Sequence, residues 1–224
     1  MKKFQNILFD VDGVLIDSMP IWEDSANVYL KEVWGIDAYP ELDRECATLS
    51  LLEAGAYIKE KYPKIAATKE ELALGVAVFI QEKYWKAPAK EGMIETVRKL
   101  HKDGYHLYLA TASEEDNVKG ALENLGVWDV FDDIFTCSKI GYSKSYTAYF
   151  EEVAKKIGCS CDALVMIEDS LHSMKTAKEA GLTVIGVYDA YSAHQTEQIR
   201  KTCDYYMESL KELSGLMEQI EKVI

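Results

Sequence analysis

Near its start the chain sets an apolar run, Ile7-Leu8-Phe9, directly against Asp10-Val11-Asp12-Gly13, and few folds accommodate that juxtaposition. A short β-rich run ending in two acids and a glycine reads as a buried strand whose last residues project carboxylates where the backbone must turn. In open parallel sheets that C-terminal rim is where the chemistry lies. Residues i and i+2 of an extended chain face the same side, so Asp10 and Asp12 bring two like charges together, which is expensive unless a cation or a shared proton offsets them. A hard divalent ion such as Mg²⁺ is the simplest answer. It can neutralise a carboxylate and a phosphate together, leaving Asp10 as a candidate nucleophile and Asp12 as a candidate acid and base. The competing reading is a polar turn after an edge strand.

Beyond this strand the chain separates into two patterns. From Ser18 to Ala87, bracketed by Pro20 and Pro88, the apolar residues recur at helical spacing. Ile21, Ser25, Val28, Tyr29 and Val33 form one stripe; Leu51, Leu52, Gly55, Ile58 and Tyr62 a second; Leu72, Val76, Phe79, Ile80 and Tyr84 a third. Three or four helices inserted after the first strand predict a small all-α domain, 18–87, with residues 1–17 and 88–224 forming the core domain. From Glu91 onward helix and strand alternate. Strands are expected at 105–110, 133–137, 163–167 and 183–187, with 205–207 as an added edge, and a closing helix carries Leu210, Leu213, Met217, Ile220 and Ile224. Such alternation with apolar strands predicts an α/β fold, a doubly wound parallel sheet with right-handed crossovers.

With 224 residues, 48% hydrophobic and 28% charged, the chain can bury a good-sized core. A net charge of −13 disfavours nucleic acid and anionic membranes, whose binders need a basic face. No run approaches the length of a membrane span, and no signal peptide is expected ahead of the first strand. Five scattered cysteines suit free thiols in a reducing cytoplasm better than a disulfide framework; Cys159-Ser160-Cys161 is their only tight pair and reads as structural.

Three further stations carry chemistry. The strand ending at Ala110 runs into Thr111-Ala112-Ser113, where the Thr111 hydroxyl and the Ala112 N–H can cradle phosphate oxygens; the alternative is a helix cap, Ser113 with Asp116 three residues on. Lys144 precedes a helix, a position unfavourable to the helix dipole, so a nearby carboxylate and phosphate would give it a reason to be there; otherwise it is a solvated lysine. The most apolar strand ends in Glu168-Asp169-Ser170, acids whose burial is costly unless paired.

The first station resembles the opening motif of the haloacid dehalogenase-like (HAD) superfamily in its phosphatase and β-phosphoglucomutase-like branch, Asp-x-Asp-Gly-x-x-x-Asp-Ser/Thr. Asp10, Asp12, Gly13, Asp17 and Ser18 match it position by position. The dehalogenase branch lacks the second aspartate, so Asp12 points to phosphoryl transfer. Thr111 resembles the second motif, Lys144 the lysine of the third, lying 24 residues before Glu168, and Glu168-Asp169-Ser170 the fourth. The resemblance implies a Rossmann-like core with a helical cap, a small phosphorylated metabolite as substrate, and Mg²⁺ held by Asp10, the Asp12 carbonyl and Asp169, with Glu168 direct or through water. It implies Asp10 and Asp12 as the catalytic pair and Thr111, Ala112 and Lys144 as phosphate-binding. The chain departs from the pattern at Ser145, where proline is usual, and at Ser173, where glycine is usual. Within the superfamily a sugar phosphomutase is the nearest rival, weakened by Trp22 and Leu51 where that enzyme carries a histidine and an arginine. A phosphonate hydrolase fits less well, because its first motif has alanine for the second acid. From a different class, a non-catalytic binding module on the same fold would not need the set Asp10, Asp12, Lys144 and Asp169. Nothing in the sequence speaks to oligomeric state.

Overall fold

The computed structural model describes residues 4–46 and 51–223. Ile224, assigned to the closing helix, lies outside them, as do the side chains of Trp22 and Leu51. The chain divides into two compact units, one of Met1–Asp17 with Ala87–Ile224, the other of Ser18–Lys86.

The first unit is built on six parallel strands. In chain order they are β1 (Asn6–Phe9), β2 (His106–Thr111), β3 (Asp133–Thr136), β4 (Leu164–Glu168), β5 (Thr183–Val187) and β6 (Tyr205–Met207); their spatial order is β3-β2-β1-β4-β5-β6. The order reverses between β1 and β4, which places a crevice at the carboxyl ends of the two central strands. These strands lack the alternation of a half-solvated sheet because both faces are covered: Ile7, Leu8 and Phe9 are fully buried, as are all five residues of β4. Leu8, Leu164 and Met166 pack against Phe150 and Met174 on one face. Each such side chain contributes about 1.5–3 kcal/mol relative to exposure, which anchors the central strands in the core of the first unit.

Among the described residues the second unit holds five helices, α1 (Met19–Glu23), α2 (Ser25–Trp34), α3 (Leu42–Cys46), α4 (Leu51–Lys61) and α5 (Lys69–Trp85). It has its own core of Tyr29, Leu30, Leu42, Ile58, Leu72 and Val76. Helices α4 and α5 pack closely because Gly55 has no side chain: a Cβ there would lie 2.3 Å from the Lys69 carbonyl oxygen. The remaining helices return to the first unit: α6 (Met93–Lys102), α7 (Glu115–Asn124), α8 (Cys137–Ile140), α9 (Thr147–Ile157), α10 (Leu171–Glu179), α11 (Thr196–Thr202) and α12 (Leu213–Val223). The chain leaves and re-enters this unit side by side, the Asp17 N–H donating to Pro88 O and the Lys90 N–H to Leu15 O, both at 2.9 Å. No helix among the described residues is long and apolar enough to cross a membrane.

Candidate active site

Because β1 and β4 are neighbours in parallel register, Phe9 beside Ile167, the residues just past their ends emerge at one rim. The Asp10 N–H donates to Ile167 O at 3.0 Å, extending the pairing by one residue before the chain turns. Asp10, Glu168 and Asp169 thereby converge, with one carboxylate oxygen of each lying within 4.8 Å of the others, and all three residues are buried. Gly13 makes this approach possible. It adopts a φ of +79°, and a Cβ at that position would sit 2.8 Å from Asp169 Oδ2 and 3.0 Å from its Cγ.

Lys144 completes the cluster. It lies between α8 and α9, and its Nζ is 2.9 Å from both Asp10 Oδ1 and Glu168 Oε2. Its neighbour in type, Lys139, pairs instead with Glu115 at the surface. Glu168 is the most enclosed of the acids, at 0% exposure. Its Oε1 accepts from the N–H groups of Asp169 at 3.2 Å and Ser170 at 3.1 Å, and its Oε2 accepts from Lys144 and, at 2.6 Å, from the Ser173 hydroxyl.

Charge balance decides what the cluster needs. Burial and the charge of Glu168 hold the Asp10 carboxyl well above the usual carboxylate range, with Lys144 opposing them. Burial, Glu168 and Asp189 do the same to Asp169. Burial also works against charge on Glu168, yet Lys144 and the donated hydrogen bonds outweigh it and leave that carboxyl below its ordinary value. Burial disfavours the Lys144 ammonium, and Asp10 and Glu168 more than restore it, holding it well above its usual range. Three carboxylates against one ammonium leave negative charge uncompensated in a desolvated site. A hard divalent cation fits both the deficit and the all-oxygen donor set.

At the end of β2, which flanks β1, Thr111 is fully buried and its Oγ1 accepts from the Ser113 N–H at 3.0 Å, while Ala112 is exposed. Asp12 is joined to this turn: the Ser113 hydroxyl donates to Asp12 Oδ2 at 2.6 Å. The capping reading of Ser113 therefore gives way, since the N-cap of α7 is Glu114, with no side-chain cap bond. The sequence reading noted Ser113 and Ser173 without placing them in the site, and it passed over Asp189 altogether. Asp189, 2% exposed and paired with Lys90 at 2.5 Å, stands two residues past the end of β5. It obeys the same rule that singled out Asp10 and Glu168, an acid just beyond an apolar parallel strand.

Comparison with known proteins gives the family of the chain. A family model described as Haloacid dehalogenase-like hydrolase matches residues 7–187. Pyrophosphatase PpaX of Bacillus velezensis is 26% identical over 215 residues, spanning 95% of this chain and 95% of its own. Phosphoglycolate phosphatase of Rhodospirillum rubrum is 25% identical over 197 residues, 83% of this chain and 80% of its own. Among solved structures, YfnB of Bacillus subtilis, bound to magnesium, superposes with a TM-score of 0.73 at 18% identity, covering 97% of this chain and all of the other. At that identity the likeness shows the fold.

Proposed function

We propose that the chain, which belongs to the haloacid dehalogenase-like hydrolase family, acts on phosphate esters and hydrolyses a small phosphate monoester with Asp10 as nucleophile and Mg²⁺ as cofactor. The observation that carries the reading is the meeting of Asp10, Glu168, Asp169 and Lys144 at the carboxyl ends of β1 and β4. Asp10, the Asp12 carbonyl and Asp169 hold the ion in this reading, with Glu168 behind them. Bound there, Mg²⁺ neutralises negative charge on the transferring phosphoryl group.

The protein's own groups account for the rest. Lys144 screens Asp10 from the approaching anion and stabilises charge as the phosphoryl group moves. An Asp10 carboxylate oxygen attacks phosphorus and forms an aspartyl-phosphate as the bond to the leaving oxygen breaks; Asp12 gives that oxygen its proton. Water then attacks the same phosphorus, Asp12 takes its proton, and the departing phosphate restores the Asp10 carboxylate. The hydroxyl of Ser113, donating to Asp12 Oδ2, fixes that carboxylate in place for this proton traffic. The Thr111 hydroxyl and the Ala112 N–H receive phosphate oxygens at the end of β2. Five unpaired thiols suit a cytoplasmic enzyme.

The test compares wild type with Asp10→Asn in Mg²⁺-supported release of phosphate from p-nitrophenyl phosphate. Loss of a nucleophile is expected to lower turnover by more than about 10³-fold. Undiminished turnover in the variant removes Asp10 from that role.

A further inference from the structure

Glu168 has no acceptor capacity to spare. A carboxylate offers about four lone-pair positions, and those of Glu168 meet four donors: the N–H groups of Asp169 and Ser170 on Oε1, the Lys144 ammonium and the Ser173 hydroxyl on Oε2. Asp10 differs, because the Val11 N–H at 2.8 Å and Lys144 at 2.9 Å both fall on the single oxygen Oδ1. Of the two donors on Oε2, Lys144 is shared with Asp10 and Ser173 is not. The serine hydroxyl, on the first turn of α10 and 4% exposed, is thus the group committed to that oxygen alone.

We propose that Ser173 is a positioning residue that withholds Glu168 from direct metal coordination and so sets the preference of the site for Mg²⁺ over Ca²⁺. The proposal rests on the reading of the cluster as a divalent-metal phosphatase centre. Mg²⁺ keeps near-octahedral geometry with several waters and few direct protein oxygens, whereas Ca²⁺ takes six to eight oxygen ligands and accepts bidentate carboxylates. With Glu168 held by its four donors, two carboxylates are left to grip the ion, those of Asp10 and Asp169. That number suits the smaller ion. Removing the hydroxyl leaves one lone pair of Oε2 without a donor, since Lys144, 2.9 Å away, is shared with Asp10, and that lone pair is open to the ion. Glu168 then joins the coordination sphere as a third direct carboxylate, a gain for Ca²⁺ and a distortion for Mg²⁺. Drawn toward the ion, it also loosens its hold on Lys144.

Isothermal titration calorimetry of the metal-free full-length chain with MgCl₂ and with CaCl₂ tests this on wild type, S173A and S173T. In S173A the Ca²⁺ affinity is expected to rise about tenfold, the exchange of one hydrogen bond on a charged group for a metal ligand. Its Mg²⁺ affinity is expected to stay within about threefold. Turnover of p-nitrophenyl phosphate in Mg²⁺ falls and becomes more sensitive to added Ca²⁺, while S173T, which keeps the hydroxyl, holds the wild-type ratio of affinities. S173G, which also lacks the hydroxyl, stands in if S173A does not fold. An unchanged or lowered Ca²⁺ to Mg²⁺ affinity ratio in the variant lacking the hydroxyl overturns the proposal and leaves the phosphatase reading intact. A wild-type chain that binds neither ion removes both.

Discussion

Replacing Gly13 by alanine asks two things of the structure at once. The residue must hold a backbone conformation that costs a residue with a side chain about 1–3 kcal/mol, and its new methyl group must displace the Asp169 carboxylate it would otherwise overlap. The first cost falls on stability, the second on the ion site. Gly13→Ala is therefore expected to destabilise the chain by about 2 kcal/mol in urea titration and to lower Mg²⁺-supported turnover by more than about 100-fold. A variant that loses stability and keeps its turnover would show that Asp169 has no need of its present position. The other residues of the cluster depend on one another in the same way. Lys144 is charged because Asp10 and Glu168 surround it, so its role follows from a meeting of three chain segments and from no local feature of its own.

At the level of elements, legibility followed the length of the pattern. The strands β1 and β4 were readable because an unbroken apolar run ending in acids fits little besides a central parallel strand, and the order of strands and helices from Glu91 onward followed from their alternation. One helix of the second unit was not separately readable: α1 has five residues, too short to display a 3.6-residue period, and an expectation of three or four helices met five among the described residues. The alternative of a cap at Ser113 fails for a related reason. Serine followed by Asp116 has the spacing of a local cap, and nothing within one turn of sequence announces a partner 101 residues away. Ser173 was noticed as a departure from the family pattern, but its bond to Glu168 exists only once α10 is docked at the end of β4. Where a cap is local, the signal is dependable. In α5 the Thr68 hydroxyl accepts from the Glu71 N–H at 3.1 Å, and the Glu71 carboxylate accepts from the Thr68 N–H at 2.7 Å. Thr68→Ala removes the hydroxyl half of this reciprocal cap and is expected to cost about 0.5–2 kcal/mol in chemical denaturation. A cost below about 0.3 kcal/mol would mean that packing alone sets the start of α5.

For the molecule as a whole, the buried deficit of charge at the site sits within a chain of net charge −13. Both oppose the folded state, one through desolvated carboxylates and the other through diffuse repulsion between surface charges. They can be separated by what relieves them. Added salt of any kind screens surface repulsion gradually and without saturation. A divalent ion bound between Asp10 and Asp169 stabilises the native state by mass action, about 2.7 kcal/mol when its concentration is a hundred times its dissociation constant. For a chain of this size that corresponds to a rise in Tm of about 5–10 °C. Differential scanning calorimetry is expected to show that rise with MgCl₂ over NaCl of matched ionic strength, to lose it on addition of EDTA, and to show little of it in Asp169→Asn. Equal shifts in MgCl₂ and NaCl, or a full Mg²⁺ response in Asp169→Asn, would place the stabilising charge on the surface and leave the acidic cluster without its cation.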